Sequence, residues 1–526
     1  MKTLSYIEYC ALPPFNQFLY NIYSTILKVV FGVWNFIKQL GRGIVNFFVK
    51  IGKAFQKMYL SFKYGDIYTK LSFGLMGISH IKRGQIVKGI FMLLFEILFI
   101  VFMVIFGGSS IYKFTYLGKR GTGFVCSGVD GFFDTKEEAL EHCVFPSAIV
   151  GDYSERNLLF GILSIIVVAV FIIFYVTSVN RSYEIQTEQE EGKHIPTFVE
   201  DISEFLNSKF HITLLALPIL GVIVFSIIPL IDMICMAFTN YDYLNQYPGF
   251  FKWVGMDNFL KIFSFGSGGF GYTFVEILKW TVVWAILATF LNFFLGIIVA
   301  TIINRKGIKF KRFWRTCLVL SVAVPQFVSL MALGQIFGEY GPITAFFEGL
   351  TGQKIRFLAS AYTYFDINGW QLAVDFPRII IVVINIWIGI PYTVLTTTGI
   401  LMNVPEDLYE SARIDGATPA TMYFKITLRY IIFVMGPSLI TTFIGNFNSF
   451  GVIYLLTGGG PTTNGFYGSA GHTDLLVTWL FNLTMGGKAD YKMASVIGIL
   501  IFIISATISL IVYRNSSSFK SEEDFA

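Results

Sequence analysis

The fold class is decided by stretches such as residues Leu158–Val179, which read LLFGILSIIVVAVFIIFYVTSV. This run contains no charged residue, and its length is what an α-helix needs to cross a hydrocarbon layer about 30 Å thick. Seven further apolar runs of similar length occur, over Gly89–Phe106, Ile212–Phe238, Ile277–Ile303, Cys317–Phe337, Ile379–Met402, Ile432–Leu456 and Met493–Tyr513. The sequence therefore predicts an all-α, polytopic membrane protein with eight transmembrane helices.

The composition of the whole chain supports the same class. Of the 526 residues, 54% are hydrophobic and only 14% are charged, and the mean hydropathy is +0.64. A soluble domain carries about 25% charged residues, so soluble, fibrous and disordered proteins are excluded. The net charge is only +5. We expect the chain to be surrounded by lipid and to have no nucleic-acid partner.

The distribution of Lys and Arg predicts the orientation in the membrane. With the N-terminus inside, 26 of the 39 basic residues fall in the inner segments between the predicted spans. The inner segment Asn304–Arg315 alone holds six of them and no acidic residue. Cytoplasmic segments are enriched in Lys and Arg. We therefore expect both termini of this multi-pass protein to lie in the cytoplasm, on the inner side of a plasma membrane.

The chain is predicted to have four parts. They are a cytoplasmic or interfacial N-terminal region (1–88), two spans with an extracellular loop (107–157) and a cytoplasmic linker (89–211), a transmembrane core with a cytoplasmic loop at 403–430 (212–513), and a cytoplasmic tail (514–526). Aromatic, aliphatic and basic residues alternate over Phe15–Tyr64, as in amphipathic helices on an anionic leaflet. The alternative is one more span through Ile26–Leu40. We expect no cleaved signal peptide.

The cysteines and histidines predict no metal site. The five cysteines lack the CxxC spacing of a zinc site, and the five histidines are scattered. Cys126 and Cys143 are the two cysteines in predicted extracellular sequence, where an oxidising environment permits a disulfide. They either form this disulfide or remain two unpaired thiols.

The cytoplasmic segment Asn403–Arg429 has the features of two short helices joined by a turn. Asn403 can cap a first helix, with Pro405 near its start and acidic residues in its first turn. Gly416 provides a natural stop, and Thr418–Pro419 can cap and begin a second helix. A simple connector needs only a few residues, so this segment is expected to have a role of its own.

The run Glu410-Ser411-Ala412-Arg413-Ile414-Asp415-Gly416, followed by Ile426-Thr427-Leu428, resembles the "EAA" loop of permease subunits of binding-protein-dependent ABC importers. Ser411 replaces the first alanine of that pattern, and Arg429 stands where a proline is common. The resemblance implies that Glu410, Ser411, Ala412, Asp415 and Gly416 form a coupling helix that docks on a cytoplasmic ATPase. It also implies a second homologous permease subunit, an ATPase dimer and an extracellular sugar-binding protein as partners.

A second set of motifs is similar to the larger permease subunit of maltose and maltodextrin importers. It comprises Trp387–Tyr392 on the sixth span, Asn446–Phe450 on the seventh, and the later runs Leu455–Pro461 and Gly471–Val477. The implied substrate is an oligosaccharide, most directly maltose or maltodextrin. Importers of galactan-, xylan- or other glycan-derived oligosaccharides share these motifs and remain an alternative.

The same resemblance implies residues that line the path of the sugar through the membrane. They are Gly389, Tyr392, Thr442, Gly445, Asn446 and Ser449. The last four recur at three- and four-residue spacing, which places them on one helix face, and a polar stripe in hydrocarbon needs protein or water beside it. The alternative is that Asn446, Asn448 and the hydroxyls form hydrogen bonds to the partner permease. Gly445 departs from the aromatic residue often found there.

Several motifs are absent from the sequence, and their absence narrows the function. No GxxxxGK[ST] phosphate loop occurs, so ATP and magnesium are expected on the partner ATPase and no cofactor on this chain. No GxSxG or HExxH catalytic motif occurs either, and no catalytic residue is expected. The remaining alternative is an ion-coupled secondary transporter, which would need two similar halves and a paired intramembrane acid–base site. Glu96 and Asp232 are isolated acids within spans, which suit interior hydrogen bonds better than proton coupling.

Overall fold

The computed structural model describes most of the chain, namely Pro13, Lys38 and residues 41–43, 45–46, 48–118, 124–125, 136–143, 147–148, 153–245, 251–305, 307–352, 354–367 and 370–515. These residues are almost entirely helical, with two small antiparallel sheets of two strands each. The predicted all-α class is therefore confirmed. They divide into two compact units, Met1–Met256 and Asp257–Ala526.

Helices of the first unit precede its first span, and a half-buried ion pair joins the last two of them. They are α1 (48–64), α2 (Ile67–Leu71) and α3 (Ile78–Lys82). Asp66 caps α2 by accepting a hydrogen bond from the Thr69 amide at 2.7 Å, and it pairs with Arg83 at 2.9 Å. Because the Arg83 side chain is almost fully buried, the pair fixes the entry to the first span.

The remaining described elements of the first unit form three spans and their connections. The first span joins α4 (Ile86–Phe102) through a π-helical turn (Met103–Gly107) to α5 (Gly108–Tyr116), and the second is α7 (Ser154–Glu190). The third joins α9 (Phe210–Val222) through a second π-helical turn (Ile223–Ile227) to α10 (Ile228–Met236). The connections contain β1 (Phe124–Val125), α6 (Lys136–His142), β2 (Ser147–Ala148) and α8 (Phe198–Leu206).

The second unit contains the core of the predicted transporter. Its elements are α11 (Asp257–Leu260), a 3₁₀ turn (Lys261–Phe263), α12 (Phe270–Asn304), α13 (Lys311–Ala323), α14 (Gln326–Ile336), α15 (Pro342–Thr351), β3 (Thr363–Ile367), β4 (Trp370–Val374), α16 (Phe376–Met402), α17 (Glu406–Ile414), α18 (Pro419–Met422), a π-helical turn (Tyr423–Thr427), α19 (Leu428–Phe447), α20 (Gly451–Thr457), a 3₁₀ turn (Tyr467–Ser469), α21 (Leu476–Met485) and α22 (Tyr491–Asn515).

Seven long apolar helices among the described residues can cross a membrane, and they coincide with seven of the eight predicted spans. The predicted span Cys317–Phe337 consists instead of two shorter helices, α13 and α14, separated at Val324–Pro325. Proline lacks an amide hydrogen and pushes the preceding residue out of the α region. Val324 is accordingly extended, with φ −80° and ψ 127°. The apolar run is present, but its helix is broken in the middle.

Helices α12 and α16 run in the same direction and form the centre of the second unit. Trp284 and Ala288 of α12 pack with Ile381 and Ile384 of α16 in the larger buried cluster. A second cluster, closer to the other end of the two helices, adds residues of α19 such as Ile431. Burial on this scale stabilises the three-helix contact by about 25 cal/mol for each Å² of apolar surface.

Some predictions fall on residues outside the described ranges. The alternative span Ile26–Leu40 lies outside them apart from Lys38, and so does the cytoplasmic tail after Asn515. Cys143 is disulfide-bonded. Cys126 lies outside the described residues, so its pairing with Cys143 stays a prediction.

Candidate functional site

The predicted coupling loop begins with helix α17, which starts one residue after Pro405. Pro405 takes an extended conformation at the N-cap, and Glu406 and Asp407 occupy the first turn, where the helix dipole favours negative charge. Asn403 does not cap α17. It ends the preceding helix α16 and donates its side-chain amide to the Gly399 carbonyl at 3.1 Å, because Val404 and Pro405 separate it from the first turn of α17.

The turn after α17 is a Schellman motif built on Gly416. The Ala417 amide donates to the Ala412 carbonyl at 2.9 Å, and the Gly416 amide donates to the Arg413 carbonyl at 3.0 Å. Gly416 has φ +76°, a left-handed conformation that glycine adopts without a Cβ penalty. The predicted helix stop at Gly416 is therefore present, with its expected hydrogen bonds.

The second helix of the loop leads directly into a span. Thr418 caps α18 by accepting a hydrogen bond from the Thr421 amide at 3.2 Å. A π-helical turn then joins α18 to α19 without a break. Tyr409 on α17 and Thr427 at the base of α19 share a hydroxyl–hydroxyl hydrogen bond of 2.8 Å. This bond links α17 to the start of the helix that carries the polar stripe.

The surface of the coupling loop is polar except for two exposed apolar side chains. Glu410, Ser411, Asp415 and Gly416 are exposed and Ala412 is half-buried. Leu408 is exposed, and Ile414 is 87% exposed.

The polar stripe on α19 lies partly on the helix and partly beyond its end. Thr442 and Gly445 are exposed, whereas Asn446 and Ser449 are half-buried. The expectation that all four share one helix face is wrong for Ser449, because α19 ends at Phe447. Asn448 at the C-cap donates its side-chain amide to the Ile444 carbonyl at 3.1 Å, a bond by which asparagine competes with helix continuation.

Asn446 has a hydrogen-bond partner within the same chain. Its side-chain amide donates to the hydroxyl of Thr289 on α12 at 2.9 Å. Thr289 is buried. The amide group of Asn446 is thus held by α12 without a partner subunit, and its carbonyl oxygen is oriented by that bond.

Gly389 and Tyr392 lie close together on α16 but in different surroundings. A Cβ at Gly389 would come within 2.3 Å of the side-chain nitrogen of Asn292 on α12. A Cβ at Gly296, one turn further along α12, would meet the Thr393 side chain at 2.4 Å. Gly389 therefore serves close helix packing. Tyr392 is 53% exposed.

Polar residues of α12 and α16 that the sequence analysis did not single out lie near these positions. The side-chain carbonyl of Asn292 and the side-chain amide of Asn385 are buried without a hydrogen-bond partner among the described residues. Thr289 and Asn292 are three residues apart in an apolar run, a spacing that indicates one helix face. The three-residue spacing of Thr289 and Asn292 is the sequence signal that could have identified these positions. A buried polar group in a membrane span costs free energy unless it forms a hydrogen bond or contacts a ligand.

Comparison with known proteins identifies the family. Residues 292–519 match the family of the binding-protein-dependent transport system inner membrane component. The maltodextrin transport system permease protein MdxF of Bacillus subtilis is 33% identical over 416 residues, which cover 76% of this chain and 92% of the relative. The chain belongs to this permease family. It is therefore a subunit of an ABC importer and not an enzyme.

Other relatives of the permease are described as permeases for galactooligosaccharides or for maltodextrin. The galactooligosaccharides transport system permease protein GanP of Bacillus subtilis is 33% identical, over 69% of this chain and 83% of the relative. The maltodextrin transport system permease protein MalC of Streptococcus pneumoniae is 32% identical, over 78% and 94%. A solved bacterial ABC transporter for alginate import is 22% identical, over 60% of this chain and 97% of that one, with a TM-score of 0.47.

The permease also has a buried polar cluster between α20 and α21. Asp474 is 1% exposed. It accepts hydrogen bonds from the Gly471 amide (2.7 Å), the Thr478 hydroxyl (2.7 Å) and the Asn482 side-chain amide (3.2 Å). Burial raises the pKa of Asp474 to about 6, although these three hydrogen bonds act to lower it. Next to it, the Thr473 hydroxyl donates to the Gly460 carbonyl at 2.7 Å and joins the Leu455–Pro461 and Gly471–Val477 motifs.

His472, in the Gly471–Val477 motif, connects this motif to the ends of α12 and α16. His472 and Asp375 share a hydrogen bond of 2.9 Å. Arg378 donates to the His472 carbonyl at 2.9 Å and lies over the ring of Trp280 at 4.5 Å. These two motifs of the permease therefore have a structural role at this end of the spans.

The two acids predicted inside spans have different surroundings. Glu96 is buried and accepts a hydrogen bond from the Met76 amide at 2.8 Å, in agreement with an interior hydrogen-bonding role. One carboxylate oxygen of Asp232 is buried without a partner among the described residues. Among the residues that the structure describes, no group of three or more His, Cys, Asp or Glu side chains could hold a metal ion.

Proposed function

We propose that this permease subunit forms half of the translocation pathway of an ATP-driven carbohydrate importer, with maltodextrin as the substrate. The observation that carries the proposal is the tie between the projecting loop and the stripe-bearing helix: Tyr409 of α17 is bonded to Thr427 at the base of α19. Such a tie can transmit a movement of the loop to side chains within the membrane.

In this proposal, Glu410, Ser411, Ala412, Asp415 and Gly416 contact a cytoplasmic ATPase. ATP binding closes the ATPase dimer, the loop moves with it, and the spans change from inward-facing to outward-facing. The exposed Ile414 and Leu408 would be covered by a cleft on the ATPase. Mg²⁺ and ATP are used there, and both termini of this chain lie in the cytoplasm.

The sugar path is proposed to run beside Tyr392, Thr442, Gly445, Asn446 and Ser449, with Gly389 shaping it through helix packing. Amide and hydroxyl groups can bond sugar hydroxyls, and the exposed ring of Tyr392 suits the apolar face of a pyranose. A second, homologous permease would complete the path. An extracellular binding protein would deliver the sugar.

Sugar-stimulated ATP hydrolysis by the reconstituted complex tests the proposal. The complex would be assembled from this chain, its partner permease, the ATPase and the binding protein. Maltodextrin-loaded binding protein is expected to stimulate hydrolysis, and Asn446→Ala is expected to reduce the stimulation while basal hydrolysis remains.

The relative described for galactooligosaccharides makes that substrate class the second candidate. Stimulation by galactooligosaccharides and not by maltodextrins would replace the proposed substrate with this one. Lack of stimulation by any oligosaccharide would contradict the carbohydrate assignment itself.

A further inference from the structure

Helix α1 (48–64) has one face occupied by the rest of the first unit. Ile51, Ala54 and Met58 are half-buried and Ser61 is fully buried. The Ala54 carbonyl accepts a hydrogen bond from the Asn180 side chain at 3.3 Å. Lys57, beside this face, forms an ion pair with Glu184. Helix α1 is therefore held against α7 in a defined rotation about its own axis.

That rotation leaves an aromatic stripe exposed, with the Phe62 ring at its end packed edge-on against Phe73 at 5.3 Å between ring centroids. Phe55, Tyr59 and Phe62 follow the i, i+4, i+7 pattern of one helix face. Their exposed fractions are 49%, 62% and 55%. Large aromatic side chains aligned in this way on an unoccupied face indicate a surface that is covered by something apolar.

The charge around the stripe is of one sign. The sequence from Tyr9 to Gly65 contains seven Lys or Arg residues and not one Asp or Glu. On α1 itself, Lys50, Lys53 and Lys63 are exposed. At 3.6 residues per turn, Lys63 lies beside the aromatic stripe, whereas Lys50 and Lys53 lie with Lys57 on the polar side of the helix.

The position of α1 along α7 places it at the edge of the apolar run. Ala54 lies beside Asn180, the first residue after the run Leu158–Val179, and the Asp66 amide donates to Gln186 at 2.9 Å. Lys57 pairs with Glu184, so α1 runs beside the six residues of α7 that follow the apolar run, about 9 Å of helix. In the proposed orientation this part of α7 lies at the level of the lipid headgroups.

We propose that α1 is an anchor on the inner membrane leaflet: the aromatic stripe enters the acyl-chain boundary, Lys63 beside it binds the phosphates of anionic phospholipids, and Lys50 and Lys53 on the polar side add to the attraction by their charge. Amphipathic helices of this composition bind such leaflets through buried apolar area and charge together. This interaction is separate from the sugar path and goes beyond the proposed transport function.

Nitroxide accessibility in the reconstituted importer tests the anchor. Spin labels would be placed by Tyr59→Cys on the stripe and by Gln56→Cys outside it, in a chain whose Cys10, Cys235 and Cys317 are serine. The vesicles would contain phosphatidylcholine, with or without phosphatidylglycerol. The label at 59 is expected to be more accessible to oxygen than to a water-soluble nickel complex, and the label at 56 to show the reverse.

The lysines are tested in the same vesicles. Phosphatidylglycerol is expected to raise the oxygen preference at position 59, and Lys50→Gln, Lys53→Gln and Lys63→Gln together are expected to abolish that increase. Equal nickel accessibility at 59 and 56 would show that the stripe faces water and would overturn the proposal. Exclusion of both reagents from position 59 would show a protein contact and overturn it equally. Neither outcome depends on which sugar is transported.

Discussion

At the scale of single residues, two glycines of the proposed sugar path have opposite surroundings. Gly389 lies directly against Asn292, whereas a Cβ at Gly445 would meet no atom within 4 Å. A side chain at the first position must displace the side-chain amide of Asn292, which donates to the Ala288 carbonyl at 2.8 Å, while a side chain at the second enters open space. The two positions therefore separate an effect on helix packing from an effect on the path itself.

Replacing Gly389 with alanine is expected to destabilise the permease even without sugar. Overpacking of a close contact costs about 1–3 kcal/mol, so the thermal transition of the purified complex should fall. Gly445→Ala is the matched control and should leave that transition unchanged while altering sugar-stimulated ATP hydrolysis. An unchanged transition in Gly389→Ala would contradict the packing role.

Asp474 is expected to make stability depend on pH. Burial raises its pKa to about 6 in the folded protein from 3.8, so the folded state binds the proton more tightly than the unfolded state. Stability is therefore lost as pH rises from about 4 to about 6, on the order of 3 kcal/mol. Asp474→Asn should remove this part of the pH dependence. The carbonyl oxygen of the asparagine must then accept the hydrogen bond that the Gly471 amide donates to the carboxylate.

The measurement for Asp474 is the difference in unfolding temperature between the variant and the native chain across pH 4–7. The difference is needed because buried His80 titrates with the opposite sign. Its pKa is lowered to about 4 by burial and by nearby Lys88, Arg181 and Arg83, and it therefore destabilises the fold as pH falls. A difference that does not change with pH would contradict the role given to Asp474.

At the scale of elements, the helix–turn–helix Glu406–Met422 depends on one backbone conformation. Gly416 at φ +76° allows α17 to end and the chain to turn into α18 within four residues. Its two Schellman hydrogen bonds satisfy carbonyls at the end of α17. The broken helix at Pro325 is the contrasting case, in which proline removes a donor and interrupts an apolar run that otherwise resembles a span.

Gly416→Val is expected to uncouple transport from ATP hydrolysis. A β-branched residue in the left-handed region costs about 1–2 kcal/mol, which the short loop can avoid only by changing its turn. Sugar uptake should be lost while the chain still assembles in the membrane. Gly416→Asn is the control, because asparagine tolerates this conformation and should retain more uptake; equal activity of both variants with the native chain would contradict the coupling role.

At the scale of the whole molecule, the orientation of the chain in the membrane is inferred from the distribution of Lys and Arg between the spans. Six basic residues between Asn304 and Arg315 have no acidic neighbour in that segment. The exposed turn near Lys488 precedes the last span. The proposed orientation places Lys309 in the cytoplasm and Lys488 outside.

Labelling with a membrane-impermeant maleimide is expected to show this orientation. In a chain whose Cys10, Cys235 and Cys317 are serine, Lys488→Cys should react in intact cells. Lys309→Cys should react only after the cells are lysed. Reaction of Lys309→Cys in intact cells would reverse the proposed topology.

The sequence by itself determined the class, the spans and the turn chemistry. Apolar runs, Gly416 and Thr418 act locally, because hydrogen bonding within a helix and the φ preference of glycine need no distant partner. It also pointed to the polar stripe, through the spacing of Thr442, Gly445 and Asn446. It could not decide that a helix would break before Pro325 when Pro391 and Pro437 lie inside continuous helices, or that α19 would end before Ser449.

The tertiary structure alone decided which side each polar residue faces. Asn446 meets Thr289, separated from it by 157 residues, and Gly389 meets Asn292 rather than open space. The aromatic stripe of α1 is likewise exposed only because Asn180 and Glu184 hold the opposite side. These outcomes depend on the packing of helices distant in sequence, and no local pattern encodes which helices meet.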